Sequence, residues 1–256
     1  DRVNERFPAS QQDRVPTAVA KSDLIVEFNI PDRFSSDPEA LLALIGHLYL
    51  DPSPNFAINQ ARYLAERLLE DPAGRTLSIA AAWKTLGRNI TPPLRELYAP
   101  PDMTVRTTAL DAGSWLQDRQ SVDPLIALTR GQDPAVRIRA ARMLIAVNGV
   151  PRAREAIRVM LNDDDSAIRI GAYEALSMVG DQTIERMVVG EGEQFKFYID
   201  RVRSDKPMVF ATQADTPAMV VFGSEVGFRG SVFSQVGSDL MIRSISVDSV
   251  RSATAG

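Results

Sequence analysis

The residues able to do chemistry are few and stand far apart. There is one histidine, His47, and no cysteine. A histidine becomes a base or a metal ligand when a second group orients it. Here no other histidine and no thiol exists to join His47, which therefore reads as a structural or partly exposed side chain. The run Asp163-Asp164-Asp165 is the densest acidic cluster. A calcium loop alternates its ligands and adds a glycine and a distal glutamate; this run has neither, so it reads as a solvated turn between helices. Gly190, Gly192, Gly223, Gly227 and Gly230 supply no phosphate-binding spacing and no following Lys-Ser/Thr; they read as turns. Without cysteine, disulfides, thiolate metal sites and iron–sulfur clusters are excluded. The expectation is a chain with no catalytic residue, no cofactor-binding residue, no metal ligand and no cofactor.

Composition narrows the classes further. Of 256 residues, 45% are hydrophobic and 24% charged, the mix of a folded globular chain. The 29 basic and 33 acidic side chains leave a net charge of −4, which argues against general nucleic-acid binding, where a basic surplus is the norm. No stretch reaches the ~18–20 apolar residues of a membrane helix. The chain opens with Asp1 inside the helix-like DRVNERF and stops at Ala255-Gly256. An internal fragment or processed product is expected, so a missing leader carries no message about export.

Elements that would position these residues come mainly from an internal repeat. Four segments stack: DPAGRTLSIAAAWKTL from Asp71, DMTVRTTALDAGSWL from Asp102, DPAVRIRAARMLIAV from Asp133 and DSAIRIGAYEALSMV from Asp165, at steps of 31, 31 and 32 residues. Each opens with an aspartate (Asp71, Asp102, Asp133, Asp165). An arginine follows four residues on (Arg75, Arg106, Arg137, Arg169), then a small residue (Ser78, Ala109, Ala140, Ala172). The aspartate predicts a helix N-cap, and Pro72 and Pro134 suit the first helical position. The arginine is placed to reach its own aspartate or a neighbouring repeat's turn. The small residue allows close helix approach. Val136, Ala140, Leu144 and Val147 predict one buried stripe, and Trp83 and Trp115 fall where core packing is the default. A shorter helix precedes each copy, as in PRAREAIRVMLND with Ala153, Ile157, Met160 and Leu161 on one face. The unit is a helical hairpin repeated four times from about Ser53 to Gly180.

This pattern resembles the short form of the HEAT repeat in its aspartate, the aliphatic before the arginine, the arginine and the small residue. Gly74 and Thr107-Thr108 depart from it. The resemblance covers about half the chain and implies a right-handed α-solenoid whose repeats bind proteins.

The flanks differ. DLIVEFNIP from Asp23 alternates Leu24, Val26, Phe28 and Ile30, the period of a half-buried strand. SSDPEALLALIGHLYL predicts a helix capped by Asp37, with Leu41, Leu42, Ile45 and Leu48 buried. After Asp181, the runs from Phe195, Lys206, Ala218, Gly227 and Asp239 predict four or five antiparallel strands packed on the last repeat. The fold class expected is α+β, in three domains: a partial α+β domain at 1–52, helical repeats at 53–190 and a β segment at 191–256. Val3, Asn4, Phe7, Ala18, Val19, Ala20, Val26, Phe28, Ile30, Pro31, Phe34 and Leu42 are similar to the ring-building part of the flagellar P-ring protein over about fifty residues. That likeness implies a periplasmic or cell-envelope ring; the cytoplasm is the alternative compartment. The function expected is a non-catalytic scaffold with a protein partner or copies of itself, and neither nucleic acid nor a membrane span. The alternative is an enzyme accessory or lyase-like maturation factor built on HEAT-like repeats.

Overall fold

The computed structural model describes residues 2–8, 15–35, 37–189, 197–212, 218–226, 233–236, 240–243 and 250–251. The chain forms two compact units, Asp1–Leu125 with Ala146–Asn148, and Ile126–Ile145 with Gly149–Gly256. The division passes inside the third helical hairpin.

In the first unit, α1 (Arg2–Arg6) precedes a hairpin of β1 (Ala18–Ala20) and β2 (Val26–Phe28), antiparallel with Ala18 opposite Phe28. The Asn4 side chain clamps β1 from both sides of one residue, donating to the Ala18 carbonyl at 2.9 Å and accepting from its amide at 2.7 Å. The expected apolar stripe of this strand is not buried: Leu24 is 95% exposed, and Val26 and Ile30 also face outward. Among the described residues β1 and β2 pair only with each other, and a two-stranded ribbon by itself buries little.

The helix α2 (Pro38–Ile45) starts as its sequence predicts, with Asp37 accepting from the Ala40 amide and Pro38 in the first turn. Its buried positions are Leu41 and Leu44, while Leu42 is exposed. With Phe7 and Phe34 these leucines form a core on which Val3, Ile45 and Trp115 pack. Rings Phe7 and Phe34 meet edge to face at 6.1 Å.

Four helical hairpins follow: α3 (Pro54–Glu70) with α4 (Thr76–Leu86), α5 (Thr91–Arg95) with α6 (Met103–Trp115), α7 (Val122–Leu128) with α8 (Pro134–Ala146), and α9 (Pro151–Met160) with α10 (Ser166–Ser177). Ala109, Ala140 and Ala172 are all buried, as are Leu144, Val147, Ala153, Ile157, Met160 and Leu161. Ser78 is exposed instead. The first copy is displaced because α4 begins at Thr76, four residues late. Trp83 is buried and donates from its indole to the Ala61 carbonyl at 3.2 Å. In the second unit α8 and α10 approach so closely that a Cβ added at Gly171 would lie 2.7 Å from Ile138 Cγ2.

The second unit continues into β3 (Ile184–Val189), β4 (Phe197–Val202), β5 (Met208–Thr212) and β6 (Ala218–Phe222), ordered β3-β4-β6-β5. The expected antiparallel meander is a mixed sheet, since β4 and β6 run parallel. Strand β6 buries Ala218, Val220 and Phe222; the strand richest in inward-facing apolar residues takes a central place, and β5 is left at the edge. β3 was not foreseen as a strand, because Met187, Val188 and Val189 are exposed in succession and show no alternation. Short pairs β7 (Glu225–Val226) with β10 (Val250–Arg251), and β8 (Phe233–Val236) with β9 (Leu240–Arg243), follow. The expected run from Gly227 falls partly outside the described residues. The Tyr173 ring of α10 lies 6.2 Å from the Phe222 ring of β6.

Gly171→Val is expected to lower stability by about 1–3 kcal/mol through overpacking, more than the few tenths regained from helix propensity. Pairing it with Ile138→Ala should recover part of the loss. Urea denaturation of the three variants measures both.

Candidate functional site

The polar residues of the repeat gather where each hairpin turns. Asp102 accepts from the Val105 amide at 2.9 Å, Asp133 from Ala135 at 2.8 Å and Asp165 from Ala167 at 2.8 Å. All three therefore cap the helix that follows. Asp71 does not. It ends α3, and its carboxylate lies over Gly74, whose added Cβ would meet Asp71 Oδ2 at 2.1 Å. Arg75 occupies the cap position of α4 with no side-chain bond.

The arginines bind turns rather than their own capping aspartates. Arg137 Nε donates to the Thr129 carbonyl at 2.8 Å, and Nη2 pairs with the carboxylate of Asp163 in the next hairpin's turn. Arg169 is buried, and its Nη1 donates to the carbonyls of Asp163 at 2.7 Å and Asp164 at 3.0 Å. Arg106 keeps a buried Nε with no partner, and Arg75 is exposed. The three consecutive aspartates are thus divided among different tasks. Asp163 holds Arg137, Asp164 pairs with Lys206 at 2.6 Å, and Asp165 caps α10. They do not converge: Asp164 is 92% exposed while Asp163 is 19% exposed. His47 stands alone, its Nδ1 2.8 Å from the Ala43 carbonyl.

A second polar set, absent from the sequence reading, closes the ends of alternate hairpins. Arg95 grips Asp118 with Nε at 2.9 Å and Nη2 at 2.8 Å, and the Tyr98 hydroxyl donates to the same carboxylate at 3.0 Å. Arg158 grips Asp181 through the same two nitrogens at 3.1 and 2.9 Å, with Thr183 donating through both amide and hydroxyl. Each pair is 23 residues apart. The other two hairpins carry Leu64 with Gly87 and Ile126 with Gly149 at these positions. There both glycines take positive φ, 93° and 69°, a region that favours glycine. One signal could have found the set: the 31, 31, 32 register extends to Gly87, Asp118, Gly149 and Asp181. A third carboxylate, Asp200 on β4, accepts from Tyr173 at 2.6 Å and from Arg186 at 2.8 and 2.6 Å.

Electrostatics follow from that geometry. Burial alone would raise the Asp118 and Asp181 carboxyls. The arginine forks, with the Gln120 amide and Tyr98 hydroxyl at Asp118 and the Thr183 groups at Asp181, outweigh it and hold both below the usual carboxylate range. Asp200 is likewise held down by Arg186 and Tyr173 against its burial. Tyr98 is pushed well above the ordinary phenol range, first by burial and then by the Asp118 charge. These tyrosines stay protonated and act as donors. Such groups can fix a fold. None pairs a nucleophile with a base, and among the described residues no group of three acidic or histidine side chains gathers to hold a metal.

Residues 122–188 match the family model of HEAT repeats. This stretch runs from α7 through α10 to β3. No curated protein matches the chain. Among the described residues, no helix is long and apolar enough to cross a membrane.

Three outcomes test these bonds. Asp133→Ala and Asp165→Ala should each lose about 1 kcal/mol by removing a cap, while Asp71→Ala, which caps nothing, should lose less in the same guanidinium titration. Arg158→Ile should lose about 3–5 kcal/mol because it strands a buried carboxylate. Adding Asp181→Gly, which copies the third hairpin, should return much of that loss in a double-mutant cycle. The acid limb has a fixed sign. A carboxylate held low in the folded state stabilises above its unfolded value of about 3.9 and loses that contribution as pH falls toward its folded value. Stability should therefore drop below about pH 4, and less steeply in the double variant.

Proposed function

We propose that the chain is a non-catalytic scaffold that binds protein, its helical hairpins stacked as a short HEAT-like solenoid. The observation that carries this reading is the HEAT-repeat match at residues 122–188, since stacked helical hairpins offer extended surfaces for other proteins. The chemistry of the turns supports it, because the best-placed aspartates are used by caps and arginine forks. The surface supports it as well: Val159, Met178, Met187 and Val188 within the matched stretch are exposed, and such side chains suit contact with a partner.

The finer reading is a part of a P-ring-like envelope ring, with copies of the chain or a ring subunit as partner. It rests on the similarity of the first fifty residues to the flagellar P-ring protein. The order α1, hairpin, α2 is compatible with it.

The experiment is chemical cross-linking of the protein in native envelope extracts, with sizing by light scattering across a concentration series. Homotypic or ring-subunit cross-links through residues 122–188, and mass that grows with concentration, are expected. Val159→Asp with Met178→Glu should weaken this association at least about tenfold while leaving the melting temperature within about 1 °C, as fits surface substitutions. A stable monomer that turns over a small molecule would overturn the scaffold reading. Association without any envelope partner or self-contact would overturn the ring alone.

A further inference from the structure

The first compact unit contains a half-open cleft of about 430 Å³ whose walls carry Arg6, Arg33 and Arg88 together with Phe7, Trp115 and Gln117. Elsewhere in the chain Arg95, Arg158 and Arg186 hold carboxylates. Here Arg6 is partly buried, and Arg33 and Arg88 are exposed. Among the described residues, no carboxylate pairs with any of the three cleft arginines.

Arg6 and Arg33 are held in place by something other than an acid. Arg6 Nη2 donates to the Lys84 carbonyl, while its Nε is buried with no partner. Arg33 lies over the Phe34 ring at 5.0 Å and the Phe7 ring at 5.7 Å, contacts that fix its plane and leave its N–H edges free. Arg88 follows Gly87, whose positive φ turns the chain out of α4 beside the Arg6 guanidinium. The rim is rigid too: Gln117 donates to the Ala146 carbonyl at 2.6 Å and accepts from the Asn148 amide at 2.9 Å. The Arg6 guanidinium is pushed below its ordinary value, first by burial and then by Arg33, Arg2 and Arg88. Like charges are thus gathered at a concave site, and among the described residues no anion offsets them.

Forked N–H donors match the oxygens of carboxylates and phosphates. The volume falls within the range of small-ligand sites, and Trp115 and Phe7 offer an apolar flank for a compact carbon frame. We propose that this cleft binds a small polyvalent oxyanion, a carboxylate- or phosphate-bearing molecule, through Arg6, Arg33 and Arg88. Concavity favours a small molecule over a flat protein contact, and the proposal stands apart from the scaffold reading.

Isothermal titration at low salt with citrate, pyrophosphate and a hexaglutamate peptide tests it, alongside melting of the same samples. Citrate or pyrophosphate should bind one to one and raise the melting temperature; the arm that responds names the oxyanion. Arg33→Gln and Arg88→Gln should each weaken binding at least about tenfold, as loss of a charged hydrogen-bonding partner does. Without ligand, Arg88→Gln should melt at the same temperature or higher, because it relieves repulsion. The proposal fails if both variants bind as the parent does or if neither small anion binds. It fails equally if hexaglutamate alone binds, which would make the cleft a protein contact. It also fails if ligand-free Arg88→Gln melts several degrees lower, which would give Arg88 an internal partner.

Discussion

A buried carboxylate has to be paid for where it sits. Asp118, Asp181 and Asp200 have side chains at most 2% exposed, and a charge taken so far out of water is tolerated only when its oxygens are filled. Each is filled by an arginine fork and by hydroxyl or amide donors from residues distant in sequence. Asp118 joins the end of α6 to α5, Asp181 joins the end of α10 to α9, and Asp200 joins β4 to α10 and β3. Because removing either partner strands the other, these contacts fix which elements lie side by side more sharply than apolar burial does. The second and fourth hairpins are closed in this way, and the second unit's sheet meets α10 through β4 and β6.

The same demand explains the alternation between hairpins. Where the ion pair is present, the chain leaves the second helix into an aspartate. Where it is absent, an aliphatic residue and a positive-φ glycine fill the space. Both are solutions to the same problem, ending a helix beside its partner without an orphaned polar group. One solution uses an ion pair with its hydrogen bonds filled; in the other, Arg6 meets the Lys84 carbonyl at the end of α4 and Gln117 the Ala146 carbonyl at the end of α8.

What lies outside these closed networks is correspondingly informative. The turn acids are spent on caps and arginines, while Val159, Met178 and the β3 side chains stand exposed. The cleft arginines are the counterpart: cations with no paired acid among the described residues. The contrast between arginines with an internal acid and arginines without one separates fold-holding charge from charge available to a ligand.

The periodic aspartates, prolines and small residues by themselves determined four helical hairpins, their starts at Asp102, Asp133 and Asp165, and the buried faces of α8 and α9. Those features arise from local rules: a cap reaches three residues, and a helical stripe repeats every turn. Asp71 escaped the rule because DPAG closes one helix before the next begins. The alternating Leu24–Ile30 run gave the period of a strand but not its burial, which depends on whether anything covers it. Only tertiary structure decided the parallel pairing of β4 with β6, the partners of Asp118, Asp181 and Asp200, and the meeting of Arg6, Arg33 and Arg88. Each brings together groups from separate elements, and desolvation, which selects those partners, is a property of the packed interior rather than of any local stretch of chain.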